Sequence, residues 1–158
     1  MESEKQHIEN LVMVHPFLAG MSAHHIKLLS GCAAFRPFGE GEIIFRAGEP
    51  ANGFYLIEHG IVALEGSVFE HGTITTETLS AGEPLGWSWL FPPYLWHFDA
   101  RATEPTTAIC LSGTLLRQHR DEDLMLSHEL FKRMSEVMVR RLQIARKKLL
   151  AIKPQSSK

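Results

Sequence analysis

Cysteine is scarce in this sequence, which contains Cys32 and Cys110 and no others. The two residues lie far apart and have none of the close spacings that hold a metal ion. A cysteine-rich zinc site and a disulfide framework are therefore both excluded. Isolated thiols are typical of proteins in reducing compartments. We predict two free cysteines and a cytoplasmic location.

A large net charge and long apolar runs are absent as well. The formal charge of −2 provides no overall field that would attract nucleic acid or an anionic membrane. The apolar stretch from Leu11 to Val14 is far too short for a signal sequence or a membrane span. With 158 residues, of which 44% are hydrophobic, the chain is predicted to form one domain around a single core.

Motifs that carry catalysis are also missing. The sequence has no Gly-x-Ser-x-Gly elbow, no glycine-rich phosphate loop and no paired-carboxylate signature, so we predict that the protein is not an enzyme. Nine histidines are present, but no His-x-His pair occurs. The adjacent His24 and His25 are predicted to lie on a helix, where neighbouring side chains point about 100° apart. We expect both to face water and predict no metal site.

The sequence does contain short β-branched and aromatic runs between residues 33 and 111, separated by glycine or proline. This spacing is typical of an antiparallel sandwich or barrel. Within the runs, some apolar residues are predicted to alternate so that one face fills the core, namely Ile43, Phe45, Tyr55, Ile57 and Val62. The predicted strands cover residues 33–38, 42–45, 53–58, 61–69, 73–79, 98–103 and 106–111.

Helical patterns flank this region on both sides. On the N-terminal side we predict a helix over residues 5–14 and a second helix that has Ser22 as its N-cap and ends at Gly31. On the C-terminal side, helices are predicted over residues 114–118 and 121–152. The predicted domain therefore consists of N-terminal helices (1–31), a β-region (32–113) and C-terminal helices (114–153).

The long C-terminal helix carries an apolar seam with spacings of three and four residues, which is typical of helix pairing. We predict that two copies of the chain form a homodimer through this seam. Basic residues near the end of the helix complement its negative C-terminal dipole and are predicted to form a solvated face. The seam consists of Phe131, Met134, Met138, Leu142, Ala145, Leu149 and Ile152.

One segment carries a specific resemblance to a known family. Residues 41–50 read Gly-Glu-Ile-Ile-Phe-Arg-Ala-Gly-Glu-Pro, and Tyr55-Leu56-Ile57 and Gly60 follow. This pattern resembles the first half of a cyclic-nucleotide-binding domain, as in catabolite-activator and Fnr-type bacterial regulators. The resemblance implies a mainly β fold with flanking helices, namely an antiparallel β-roll or jelly roll followed by a long C-terminal helix. It also implies a regulatory role.

The family resemblance implies where a nucleotide would bind. In the family, a short cassette holds the ribose and the cyclic phosphate. The matching run here covers residues 85–102, in which Gly86 fits the family pattern. Trp87 stands in the place of the ribose-binding glutamate. Trp96 stands in the place of the phosphate-binding arginine, and His97 in that of the hydroxyl residue after it.

Loss of that arginine affects the expected ligand. A charge-assisted contact to phosphate contributes roughly 2–5 kcal/mol, so its removal lowers affinity by about 30-fold to several thousandfold. Ordinary binding of cyclic AMP or cyclic GMP is therefore not expected. Arg101 either turns inward as a replacement or pairs with Asp99 on the same strand. Alternatively, a true cyclic-nucleotide receptor would contact phosphate through His97, Ser88 or backbone amides at the N-terminus of a cassette helix.

Aromatic residues dominate the cassette, and all three tryptophans of the chain lie within ten residues. Aromatic rings suit a flat apolar ligand, a cation or a partner side chain. Three interpretations stay open: a small-molecule site, a pocket that the rings have filled as core, and a protein-binding surface. The candidate pocket residues are Gly86, Trp87, Ser88, Trp89, Trp96, His97, Phe98 and Arg101.

The leading hypothesis is a non-enzymatic ligand-sensing module with its pocket between the roll and the long helix. A cyclic nucleotide or another small ligand would move the cassette and the helix, and a protein partner would read the change. The alternative is a scaffold or dimerisation protein with a filled pocket. Transcription factors of the family carry a DNA-binding domain after the long helix, and the sequence ends at that point, so direct DNA binding is not expected.

Overall fold

The computed structural model describes residues 2–68, 70 and 72–152 of the chain. The predicted strand end at residue 69 and the last predicted helical residue, 153, lie outside the described residues. In chain order the elements are α1 (Glu2–Val14), α2 (Ala23–Ser30), β1 (Ala33–Phe38), β2 (Ile43–Phe45), β3 (Gly53–His59), β4 (Ile61–Val68), β5 (Gly72–Ser80), β6 (Pro84–Leu85), β7 (Asp99–Ala102), β8 (Thr106–Ser112), α3 (Gly113–Glu122) and α4 (Leu124–Ala151).

The strands form two antiparallel four-stranded sheets, with the orders β1-β8-β3-β6 and β2-β7-β4-β5. Side chains from both sheets meet in one apolar core, which includes Leu56 of β3 and Leu64 of β4. This arrangement confirms the predicted antiparallel β-roll. The sequence did not predict β6, because two residues are too few for an alternating pattern.

Strand β3 is buried on both faces. The alternating pattern predicted that Tyr55 and Ile57 fill the core, and Ile57 is fully buried while Tyr55 is half-buried. Phe54, on the opposite face, is fully buried as well. The centroid of its ring lies 5.3 Å from that of Phe17 and 5.1 Å from that of Trp89. The segment after α1 and the loop after β6 therefore cover the face that simple alternation would leave exposed.

Helix α4 packs one face on the rest of the protein and then projects beyond it. Leu126, Leu130, Met134 and Val137 are its buried residues. All side chains over residues 142–152 are exposed. The predicted seam is therefore divided, because Met134 packs on the core of the same chain while the later seam residues are uncovered. None of the helices in the described part of the chain is long and apolar enough to cross a membrane.

His25 corrects one expectation about the N-terminal helices. It was predicted to face water, but the structure buries it, with its Nε2 3.1 Å from the Oδ2 of Asp123. The other oxygen of Asp123 caps α4 by accepting a hydrogen bond from the Leu126 amide at 3.0 Å. The wrong prediction arose because the partner is 98 residues away along the chain. The contact joins α2 to the start of α4.

The two thiols and the half-buried tyrosine are held in their protonated forms. Cys32 and Cys110 are free, as predicted. Burial raises the pKa of each thiol. Burial, followed by the nearby Cys110, raises the pKa of Tyr55 to about 12. All three groups are therefore protonated near neutral pH, where the thiolate form needed for nucleophilic attack is scarce.

His15 joins the end of α1 to the roll. Its side chain is buried, with Nε2 3.0 Å from the Ile57 carbonyl oxygen, while Nδ1 accepts a hydrogen bond from the Phe17 amide at 3.2 Å. Nε2 therefore carries the proton of the neutral ring and donates to Ile57. Burial lowers the pKa of His15, an effect that exceeds the opposing influence of the Ile57 carbonyl.

We expect His15 to make the protein less stable in mild acid. The unfolded chain protonates this histidine near its ordinary pKa of about 6.5, whereas the folded protein resists protonation, so stability falls as pH drops below that value. This residue changes the free energy of unfolding by at most about 1.4 kcal/mol per pH unit. Urea unfolding of wild type and His15→Gln between pH 7 and pH 5 measures it. The variant should show the shallower pH dependence, and parallel curves would contradict the assignment.

Candidate ligand pocket

The loop between β6 and β7 contains the predicted cassette. It is built from two hydrogen-bonded turns, in which the Leu90 amide donates to the Trp87 carbonyl at 3.0 Å and the Tyr94 amide to the Phe91 carbonyl at 2.9 Å. None of its residues, all of which the structure describes, is helical. The cassette helix assumed in one of the alternatives for phosphate contact is therefore absent from this loop. Two consecutive prolines at positions 92 and 93 explain the missing helix, since neither can donate a backbone hydrogen bond.

Helix α3 fixes the base of this loop. Arg117 and Arg120 donate hydrogen bonds, each at 3.0 Å, to the carbonyl oxygens of Trp89 and Leu90. These bonds satisfy two backbone acceptors of the turn, which the loop's own backbone leaves without a strand or helix partner. The loop is therefore held by side chains of the helix that precedes α4.

Trp96 belongs to the core. It is 4% exposed, and its ring stacks on Phe45 with centroids 3.7 Å apart and planes 7° apart. Gly86 lies against the same ring with φ +93°, and a Cβ there would come within 2.5 Å of the Trp96 ring. The place that the family resemblance assigns to a phosphate-binding arginine is thus occupied by packed apolar atoms.

Trp89 is also a core residue. It is fully buried, its ring lies beside Phe54, and its Nε1 has no hydrogen-bond partner among the described residues. The structure does not bring Trp89 or Trp96 to an open cavity. For these two tryptophans, the interpretation as filled core fits the structure.

Ser88 and His97 bind each other. The Oγ of Ser88, which is buried, lies 3.0 Å from Nδ1 of His97, which is exposed. The His97 ring stacks on Trp87 with centroids 5.1 Å apart. The two polar side chains considered as an alternative phosphate contact are therefore engaged with each other, and a ligand would have to break this bond to use them.

An open cavity of about 460 Å³ lies between this loop, strand β5 and helix α4. Of the predicted pocket residues, Trp87 and Phe98 line it. The walls are mainly aromatic and apolar, with one cation and one carboxylate, which suits a small flat ligand with one polar group. The complete lining consists of Glu77, Trp87, Phe91, Phe98, Met138 and Arg141.

Arg141 is the cation of this cavity. Its side chain is 14% exposed and donates from Nη2 to the Pro84 carbonyl, while its Nε lies 3.4 Å from Oε1 of Glu77. Burial lowers the pKa of Arg141, opposed by the charge of Glu77. Burial likewise raises the pKa of Glu77, opposed by Arg141. The pair links α4 to β5 at the wall of the cavity.

Arg101 does not turn into the cavity. It forms a bidentate ion pair with Glu65, with one contact of 2.7 Å and two of 3.2 Å. The expected alternative partner, Asp99, instead accepts a hydrogen bond from the Ala47 amide at 2.7 Å. Both expectations for Arg101 were wrong. The reason is the register of β4 and β7, which pairs Ala63 with Arg101 and so places Glu65 diagonally opposite the arginine.

One group of side chains has the composition of a metal site. Ligand atoms of His24, His25 and Asp123 lie within 4.8 Å of one another. Their adjacent positions on the helix therefore do not keep the ring nitrogens of His24 and His25 too far apart to bind one ion. Asp123 nevertheless already caps α4 and bonds to His25, and positive helix N-termini disfavour a cation there. The absence of a metal site stays a prediction.

Arg141 was missed as a pocket residue, although the sequence holds a signal for it. Leu130, Met134, Val137 and Arg141 are spaced by four, three and four residues, so the arginine continues the buried stripe of α4. Arg141 was instead predicted to belong to the basic, solvated face at the end of the helix. A single cation on an otherwise apolar helical stripe marks a candidate for a buried functional charge.

The comparisons with known proteins agree with this architecture. Residues 35–123 match the family model described as the cyclic nucleotide-binding domain. None of the curated protein sequences is significantly similar to the chain. The structure resembles a protein of the cyclic nucleotide-binding class from Geobacter metallireducens GS-15, with a TM-score of 0.75 and 25% identity over 90% of this chain and 99% of that one.

Two further solved structures share the fold. A cyclic nucleotide-binding domain from Methylobacillus flagellatus has a TM-score of 0.76 and 18% identity, over 96% of this chain and 84% of that one. A regulatory subunit of a cAMP-independent protein kinase A from Trypanosoma cruzi, bound to guanosine, has a TM-score of 0.69 and 19% identity, over 85% of this chain and 47% of that one. The chain belongs to the cyclic nucleotide-binding domain family.

Proposed function

We propose that the protein is a non-enzymatic, ligand-sensing regulatory module that acts as one domain in the cytoplasm. Its ligand binds in the aromatic cavity and changes the position of α4. The observation that carries this proposal is the shared wall of the cavity, to which the roll contributes Trp87 and Phe98 and α4 contributes Met138. A ligand that touches both parts can bind two helix positions with different affinity, which is the requirement for a conformational signal.

We do not expect the ligand to be a cyclic nucleotide that binds through its phosphate. Trp96 fills the core at the place assigned to the phosphate-binding arginine, and Arg101 is held by Glu65. A cyclic phosphate at that place would lack its charged partner, at a cost of roughly 2–5 kcal/mol. The Trypanosoma cruzi structure, which is bound to guanosine, is an example in this fold of a ligand without a phosphate.

The projecting end of α4 supplies the output in this proposal. Leu142, Leu149 and Ile152 are exposed and recur at heptad-like spacing, so one helical face is apolar and is not covered by the residues that the structure describes. A second copy of α4 would cover it. We propose a homodimer through this face and a protein partner that reads the position of the two helices.

We expect Leu149→Glu to dissociate this dimer. The substitution places a charge at the paired face, where burial of an unpaired carboxylate is unfavourable. Leu150→Glu is the matched control, because Leu150 is exposed to a similar degree, 66% against 72%, but lies off the face. Light scattering at tens of micromolar should give a dimer for wild type and control and a monomer for Leu149→Glu. A monomeric wild type, or dissociation by both variants, contradicts the proposed dimer.

A second candidate function is a scaffold or dimerisation protein with no ligand. The observation that favours it is the burial of Trp89 and Trp96, which fills part of the region where a family ligand would bind. The two proposals differ in what the remaining cavity does. In a scaffold protein the cavity would bind no compound, whereas in a sensor it binds an aromatic compound.

Nuclear magnetic resonance of the three tryptophan indole groups separates the two functions. The probes are guanosine, cyclic AMP, 2-naphthamide and 2-naphthoate. A sensor should show at least one probe that shifts the Trp87 signal, since Trp87 lines the cavity, with much smaller shifts at the buried Trp89. No shift with any probe at millimolar concentration contradicts the ligand-sensing function and favours the scaffold.

We expect Met138→Trp to abolish binding of whichever probe shifts Trp87. The larger ring would occupy the cavity from the α4 side and exclude an aromatic guest by steric overlap. Val139→Trp is the control, since Val139 is 52% exposed and does not line the cavity. Calorimetric titration should show a loss of binding in the first variant and wild-type affinity in the second. Unchanged affinity in Met138→Trp would show that the probe binds elsewhere.

A further inference from the structure

Arg141 is the charged member of the buried stripe of α4. Its neighbours along the buried stripe, Met134 and Val137, are apolar and pack on the core. The guanidinium lies at the junction of two cavities, the aromatic one and a polar one lined by Glu77, Glu83 and Arg140 among others. Among the described residues that line the aromatic cavity, Arg141 is the one cation.

The bond between Arg141 and Glu77 is a poor ion pair for so buried a place. The closest contact is a single one of 3.4 Å between Nε of Arg141 and Oε1 of Glu77. The more exposed Arg101, by comparison, makes a bidentate pair with Glu65 at 2.7–3.2 Å. Arg141 also donates a hydrogen bond to the Pro84 carbonyl, which is neutral. The single long contact to Glu77 therefore recovers only part of the desolvation cost of the two charges. Such an arginine gains from a better-placed anion, and bidentate carboxylate contact is what its planar fork favours.

We propose that the aromatic cavity binds a flat aromatic monocarboxylate, with its rings against Trp87, Phe91 and Phe98 and its carboxylate on Arg141 in place of Glu77. This inference rests on the proposed ligand-sensing function and names the ligand class. One arginine in the wall of the aromatic cavity balances one negative charge, and the other charged residues nearby, Glu77 and Glu83 against Arg140 and Lys148, offset each other and add no second cation to that wall. Ribose hydroxyls would find few polar partners on this aromatic wall, which favours an aromatic acid over a nucleotide.

The location of Arg141 on α4 gives the binding a direct consequence. In the family pattern the anion is held by the cassette, whereas here the helix itself supplies the cation. A carboxylate that pairs with Arg141 replaces the link from α4 to β5 through Glu77, so anion binding and helix position are coupled at one side chain. The ligand's charge, and not only its rings, then sets the state of α4.

Calorimetric titration of the full chain with 2-naphthoate and its neutral counterpart 2-naphthamide tests this assignment. We expect wild type to prefer the carboxylate, and Arg141→Met, which keeps an apolar stem, to lose roughly 10- to 100-fold in affinity for 2-naphthoate. Its affinity for 2-naphthamide should change little. Arg140→Met is the matched control, because Arg140 is the exposed neighbour that does not line the aromatic cavity, and it should behave like wild type.

Glu77→Gln gives a second readout that a purely structural pair would not produce. Removal of the competing carboxylate should raise the affinity for 2-naphthoate several-fold and leave that for 2-naphthamide unchanged. Equal binding of the two probes to wild type, or no gain in Glu77→Gln, overturns the anion assignment and leaves the ligand-sensing function standing. If Arg141→Met weakens the binding of cyclic AMP and not that of 2-naphthoate, the anion is a cyclic phosphate and the carboxylate assignment is wrong. Failure of every aromatic probe to bind wild type removes both proposals.

Discussion

Replacement of Trp96 by alanine should destabilise the protein by about 3–5 kcal/mol, the cost of removing a fully packed large aromatic side chain. The ring is 4% exposed and stacks on Phe45 at 3.7 Å, so its loss leaves a cavity between the loop and β2. Domains of this size are stable by about 5–15 kcal/mol, so the variant loses a large share of its stability. Urea unfolding measures the change.

Trp87→Ala is the matched control for Trp96→Ala. Trp87 is half-buried at the wall of the cavity, so its removal should cost only about 1–2 kcal/mol. Trp87→Ala should also weaken the binding of any aromatic probe directly, because Trp87 lines the cavity. Trp96→Ala should weaken it only by lowering the fraction of folded protein. Equal stability losses in the two variants would contradict the division of the tryptophans into core and cavity residues.

Substitution of Gly86 by alanine should cost about 2–5 kcal/mol. Its φ of +93° strains any L-residue by about 1–3 kcal/mol, and the new Cβ would lie 2.5 Å from the Trp96 ring, which adds an overpacking cost. Gly48→Ala isolates the backbone contribution, because Gly48 has φ +88° and no atom within 4 Å of a Cβ position. We expect the control to cost about 1–2 kcal/mol less than Gly86→Ala.

A double-mutant cycle identifies the origin of that difference. In the Trp96→Ala background the steric overlap at Gly86 disappears, so Gly86→Ala should cost no more than the backbone strain. The coupling between the two positions should then equal the overpacking cost, about 1–2 kcal/mol. Additive effects would mean that the loop does not pack Gly86 against Trp96 as described.

The roll itself was predictable because its signals are local. The motif from Gly41 to Gly60 and the regular breaks between short apolar runs depend on turns and alternation within a few residues. Each predicted strand is present, with described ends within one residue of the prediction. Ser22 and Gly31 likewise cap α2 as expected, since capping is a local property of the backbone.

The pocket was only partly predictable because its residues come from distant parts of the chain. Trp87 and Trp96 are nine positions apart in one aromatic run, yet the turns of the loop direct one to the cavity and the other to the core. Glu77 and Arg141 come together only because α4 crosses β5. The ion pair of Glu65 with Arg101 depends in the same way on the register of β4 and β7, which could not be deduced from the pattern of residues along the chain.

Hydrogen exchange over α4 tests the central claim, that occupancy of the cavity changes the state of this helix. The full chain is saturated with the aromatic probe that binds most tightly of the four, and exchange is followed by mass spectrometry with and without it. We predict altered exchange over residues 134–148, which flank Met138 and Arg141, and little change in β1, which does not line the cavity. A saturated cavity with unchanged exchange in α4 would contradict the account, because a ligand that leaves the helix unaffected cannot send a signal through it.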